Sequence, residues 1–100
     1  MTTEAAEVRL DAANGDCFVT GALDFANVPS LPLAVPGDGE VTVDLSGVGR
    51  VDSAGVALLL EWVREARAHG RALVFRGMPA QLLAIARVSG VDTILPLDDR

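Results

Sequence analysis

The sequence predicts an α/β fold: a mixed, mostly parallel sheet of about five strands, opened by an N-terminal hairpin and covered by packed helices. Three observations carry this. Short apolar runs with strand-like alternation recur at 8–12, 17–23, 41–45, 72–76 and 91–95. Helix-period segments at 53–69 and from Pro79 to about 89 separate the last three of them, and successive strand–helix–strand units imply parallel pairing with right-handed crossovers. Asn14-Gly15-Asp16, between the first two runs, reads as a hairpin turn because Asn and Gly tolerate positive φ.

Taken in order, the hairpin gives way at Asp24, a residue able to cap a helix. Pro29 and Pro32 interrupt segment 25–35 and Pro36 ends it, so at most a short or broken helix is expected there. Pro36-Gly37-Asp38-Gly39 reads as a loop. In 41–45, Val41, Val43 and Leu45 share one face while Thr42 and Asp44 share the other, the pattern of a strand. Gly47 and Gly49 place 46–52 in a loop. The helix that starts at Ser53 stops at His69-Gly70, since glycine readily takes the left-handed conformation that closes helices. After the strand at 72–76, Pro79 occupies the favoured first position of a helix that ends near Ser89-Gly90. Segment 91–95 is the last short strand, before Pro96.

Composition excludes several roles. The chain has 14 Asp plus Glu against 8 Lys plus Arg, a formal net charge of −6, so nucleic acid and anionic membrane surfaces would repel it. Arg64, Arg67 and Arg71 are interleaved with Glu61 and Glu65, as on a solvated helix face. No apolar run approaches the roughly 20 residues that span a bilayer, and the polar start Met1-Thr2-Thr3-Glu4 lacks signal-peptide character. A cytoplasmic location is expected, with any association with the inner membrane made through a partner. Cys17 is the single cysteine; with no partner for a disulfide and no zinc spacing, it reads as a small buried hydrophobe.

Reactive machinery is sparse. His69 is the only histidine, placed where a helix end favours its charge, with no companions for a triad or a metal site. Asp44 and Asp52, if brought together at strand ends, could do acid–base work, but such aspartates more often cap helices or bind loop amides. Gly47-Val48-Gly49 lacks the Lys-Ser/Thr of a P-loop and the third glycine of a dinucleotide fingerprint, which leaves nucleotide or small-ligand binding a distant option. A non-enzymatic role is expected, with no catalytic residue, metal or cofactor.

The densest signal lies in 43–55, a strand, a tight loop and a helix start. Asp52 or Ser53 can accept a backbone N–H bond as the N-cap. Gly55 leaves the first turn without a side chain, so another backbone or a partner can approach. The carboxyl ends of parallel strands are where open α/β sheets usually meet ligands and partners. A phosphate on Ser53 would be stabilised by the helix dipole and would add about −2 charge. On the helix, Val56, Leu59, Leu60, Val63 and Ala66 form the stripe expected to pack on the sheet. Leu58 and Trp62, one turn apart and off that stripe, make a second apolar strip with Ala54 and Gly55. That strip either widens the core face or forms an exposed docking patch anchored by Trp62.

Asp52-Ser53-Ala54-Gly55, behind the strand Val41-Thr42-Val43-Asp44-Leu45-Ser46, resembles the signature of STAS domains, the family of anti-sigma-factor antagonists. Thr20-Gly21-Ala22-Leu23-Asp24 is similar to that family's second-strand motif, with Ala22 where Glu is more usual. The likeness runs in order and spacing over most of 8–96 and implies one STAS domain across 1–100. Within the family, the run from Asp52 to Leu60, the continuation Glu61-Trp62-Val63-Arg64 and the end near Ile94-Leu95-Pro96 resemble the MlaB branch. That resemblance implies an accessory subunit of an inner-membrane phospholipid ABC transporter that maintains outer-membrane lipid asymmetry. Its partner would be the cytoplasmic ATPase subunit, MlaF, in a complex with permease and substrate-binding subunits. Asp52, Ser53, Ala54, Gly55, Leu58 and Trp62 would form the contact surface. The wider family implies an alternative, an anti-sigma factor antagonist whose Ser53 is phosphorylated by a serine kinase. The proline-interrupted segment 25–36 departs from the regular helix usual in the family.

Overall fold

The computed structural model describes residues 5–11 and 15–98. Strands β1 (Glu7–Asp11) and β2 (Asp16–Leu23) form the expected antiparallel hairpin, with Val8 opposite Val19 and Leu10 opposite Cys17 on the core side. On the other side the Arg9 guanidinium lies 5.5 Å from the centre of the Phe18 ring. Gly15 turns the chain at φ +77°, its N–H donating to the Asp11 carbonyl at 2.9 Å; Asn14, also assigned to that turn, lies outside the described residues. Strand β3 (Val41–Val51) runs parallel to β2, and β4 (Leu73–Arg76) parallel to β3. Among the described residues the result is a four-stranded mixed sheet in the order β1-β2-β3-β4.

Helices α1 (Ser53–Ala68) and α2 (Ala80–Val88) complete the α/β architecture. Cys17, Val19, Val43, Leu45 and Phe75 on the inner sheet face join Leu59, Trp62, Val63 and Leu82 of the helices in one hydrophobic cluster. The outer face keeps Asp16, Phe18, Thr42, Asp44, Val74 and Arg76 only half-buried, as expected where one side of a sheet is left to solvent. Both helices stop as their glycines dictate. Gly70 and Gly90 take φ +66° and +74°, and Arg71 N–H to Ala66 O (2.8 Å) and Val91 N–H to Ala86 O (2.9 Å) close Schellman motifs that satisfy the last carbonyls. Pro79 is the N-cap of α2 rather than its first helical residue.

Two expectations about strands are corrected. Residues 46–51, read as a loop from their glycines, belong to β3. Seven steps along β2, from Asp16 to Leu23, face nine along β3, from Thr42 to Val51, so β3 carries two extra residues at the register shifts. Gly47 fits there because a Cβ would sit 2.8 Å from Thr20 Cγ2. The second correction is the fifth strand. Segment 91–95 holds a 3-10 turn, Asp92–Ile94, because the chain must bend back from the end of α2 to reach β4. Only Leu97 then bridges to Phe75, with Phe75 N–H donating to Pro96 O and Asp98 N–H to Phe75 O, both at 2.8 Å.

Between β2 and β3 the chain forms a strap, residues 24–40, with one 3-10 turn, Val28–Ser30, as its prolines require. Leu31 and Val35 of the strap enter the core. Side chains from elsewhere hold its middle and end down. Trp62 Nε1 donates to Pro32 O at 2.9 Å, and Arg71 donates to the carbonyls of Gly39, Val35 and Pro36 at 2.8, 2.7 and 3.1 Å.

Candidate functional site

Parallel strands β2 and β3 end side by side, with Leu23 opposite Val51, and each is followed by an aspartate. Asp52 N–H donates to Leu23 O at 3.2 Å, which ties the two strand ends together. Asp52, in extended conformation, is the N-cap of α1. Its Oδ1 accepts from Ala54 N–H at 2.8 Å, while Oδ2 accepts from Phe25 N–H at 3.0 Å, 27 residues earlier in the chain. One carboxylate therefore starts the helix and fixes the strap to it. Asp24 organises the turn that follows: its Oδ1 accepts from Asn27 N–H at 3.0 Å and from Asn27 Nδ2 at 2.9 Å, and its carbonyl accepts from Val28 N–H at 2.9 Å.

With Asp52 as the cap, Ser53 becomes the first residue of α1 and is exposed. Asp24, Phe25, Ala26, Arg50, Val51 and Asp52, the residue before Ser53, line an open depression of about 280 Å³. Ala54 is half-buried. Gly55 is buried, and the close approach it permits is internal: a Cβ there would sit 2.7 Å from Leu23 O and 3.4 Å from Leu82 Cδ1.

The expected strip from Gly55 to Trp62 is not exposed. Leu58 is 3% and Trp62 0% accessible, so neither can touch a partner while the fold is intact. The reason is tertiary: α1 packs against both α2 and the strap, and the strap is bonded to the indole at Pro32. Leu58 and Trp62 thus widen the core face of α1. Large apolar side chains do reach the surface, but on other elements: Phe25 and Leu33 on the strap, at 69% and 70%, and Val88 at the end of α2, at 91%. Phe25 and Arg50 are the site residues that the sequence reading missed. The available signal was their position, one residue after Asp24 and two before Asp52, at the ends of neighbouring parallel strands.

Asp44 and Asp52 do not form a pair. The strand between them continues to Val51, and eight extended residues span roughly 25 Å. Asp44 belongs instead to a polar cluster on the outer sheet face. It accepts from the hydroxyl and amide of Ser46 and from Arg76 Nε and Nη2 at 3.2 and 3.1 Å; Arg76 also reaches Asp16 at 3.4 Å. The Ser46 hydroxyl first, then the Ser46 amide and Arg76, hold the Asp44 carboxyl below its ordinary range against the opposing effect of burial. Cys17 is fully buried, and burial pushes its thiol up. His69 is exposed at the end of α1, with Nδ1 2.9 Å from Glu65 O.

Both Asp52 oxygens are engaged by backbone amides, so the carboxylate beside Ser53 is committed to holding the backbone. The arrangement presents a hydroxyl on a rigid lip. Among the described residues no group of His, Cys, Asp and Glu could hold a metal ion, and no helix is long and apolar enough to cross a membrane.

Against known proteins, the family model described as the MlaB STAS domain matches residues 6–96. No curated protein matches the chain. The match spans the hairpin, the strap, the Asp52–Ser53 junction and both helices, and the chain therefore belongs to the MlaB-type STAS domain family, whose domains are generally non-enzymatic binding modules with regulatory or accessory roles.

Proposed function

We propose that this chain is an accessory subunit of an inner-membrane phospholipid ABC transporter. It binds the cytoplasmic ATPase subunit, of the MlaF kind, through Ser53 and the surface at the start of α1. In doing so it supports assembly and activity of a complex with permease and substrate-binding subunits that maintains outer-membrane lipid asymmetry. It acts in the cytoplasm and reaches the inner membrane only through this partner. The observation that supports the reading is an exposed Ser53 on a doubly anchored cap, within a chain of the MlaB family. Co-purification of the ATPase with the tagged chain tests it. Ser53→Glu should lose the ATPase while keeping its circular dichroism spectrum, and retention at the wild-type level would remove this surface from the contact.

The same exposed hydroxyl favours a second reading, an anti-sigma factor antagonist switched by phosphorylation of Ser53. A phosphate there would sit at the N-terminal end of α1, where the helix dipole favours negative charge. Incubation with a serine kinase encoded beside the chain, followed by mass spectrometry, separates the two. Stoichiometric phosphate on Ser53 supports the switch, and an unmodified chain removes it.

A further inference from the structure

We propose that Phe25 and Arg50 are the apolar anchor and the charge-reading residue of the surface on which the transporter ATPase docks, a deepening that rests on the reading above. The matching partner surface is an apolar socket for one phenyl ring with a carboxylate on its rim.

The argument begins with rigidity. Phe25 is 69% exposed, yet its backbone is fixed. Its N–H is held by Asp52 Oδ2, and the turn around it is closed by the bonds from Asn27 and Val28 to Asp24. A single exposed apolar side chain is ordinary on a protein surface. An exposed ring on a locked turn is different, because the ordering of its backbone is complete before any partner arrives. The carboxylate that holds Phe25 is also the cap of α1: Oδ2 holds the Phe25 amide and Oδ1 the amide of Ala54, the residue after Ser53. Val88 is more exposed, but it sits at the far end of α2.

Charge identifies the rim of the socket. Arg50 is exposed beside the same depression and enters none of the ion pairs among the described residues. The two nearby aspartates are turned to backbone and side-chain N–H groups of the turn and the helix cap. On a chain of net charge −6, this uncommitted guanidinium is the local feature that a partner's carboxylate can meet, with the bidentate geometry arginine offers. Trp62, the anchor expected from the sequence, is sealed beneath the strap. The exposed aromatic at this end of the molecule is carried by the strap that covers it.

The test uses the purified full-length chain and the purified ATPase subunit, with equilibrium binding measured at low and physiological salt. Phe25→Ala should weaken binding about 30-fold, the scale of an interface hot spot. Phe25→Leu should recover part of that loss. Arg50→Ala should weaken binding a fewfold and flatten its dependence on salt. Val88→Ala should bind as wild type, and thermal melts should show every variant folded. If Phe25→Ala and Arg50→Ala bind within about twofold of wild type while Ser53→Glu loses binding, this inference is overturned and the docking reading stands. If Ser53→Glu also binds normally, both fall.

Discussion

Replacing Trp62 by alanine should destabilise the protein by about 3–5 kcal/mol, the usual cost of truncating a large buried aromatic. The structure places this residue among the largest fully buried side chains, packed in the main core cluster. It also makes the indole bond to Pro32 that pins the strap, and such a bond contributes about 0.5–1.5 kcal/mol net. Domains of this size are stable by only about 5–15 kcal/mol, so the loss is a large fraction of the total. At roughly 4–8 °C per kcal/mol the melting temperature should fall by about 20 °C. Trp62→Phe keeps most of the apolar volume and removes the N–H donor, so it should cost less, about 1–2 kcal/mol. Urea unfolding followed by far-ultraviolet circular dichroism measures both. Trp62 is the only tryptophan, so its fluorescence reads the same environment directly: native emission should be blue-shifted and shielded from iodide until the chain unfolds. A Trp62→Ala variant within about 1 kcal/mol of wild type, or iodide quenching of the native protein as strong as that of the unfolded chain, would refute the burial argument and return Trp62 to the surface.

Other consequences can be checked in the same preparations. Gly55→Ala should destabilise by about 1–3 kcal/mol by overpacking, although alanine alone favours a helix by about 1 kcal/mol over glycine. The new methyl meets the Leu23 backbone carbonyl at 2.7 Å, and a gain in urea midpoint would contradict that close approach. The Asp44 carboxyl has a folded pKa below its ordinary value of 3.8. Its contribution is therefore present above that value and lost as the pH falls through the lower folded value. Stability-against-pH curves of wild type and Asp44→Asn should be separated at neutral pH and converge in acid; parallel curves would show that the Ser46–Arg76 cluster does not hold the carboxylate. Cys17, buried with its thiol pushed up, should react with a thiol reagent only at the rate of unfolding. Rapid labelling of the native chain would place it at the surface.

What the sequence by itself determined is local. The alternation of Val41, Val43 and Leu45 marked a strand face, Gly70 and Gly90 marked the helix stops, and three prolines ruled out a regular helix in 25–36. The Asp52–Ser53 junction was visible as a helix start. These features depend on the conformational preferences of a few adjacent residues, and those preferences act in any context. Tertiary structure decided the rest. Gly47 and Gly49 read as loop residues until β2 lies alongside, with Thr20 opposite Gly47 and Gly21 opposite Val48. Val91–Leu95 has strand-like composition, but the return from α2 to β4 requires a turn there. The two apolar strips of α1 look alike in sequence, and only a strap pinned 30 residues earlier, at Pro32, determines that Trp62 is covered. Phe25 joined the candidate site through a carboxylate 27 residues later. Hydrophobicity sets the free energy of leaving water, but whether a side chain leaves it depends on which distant segment arrives above it.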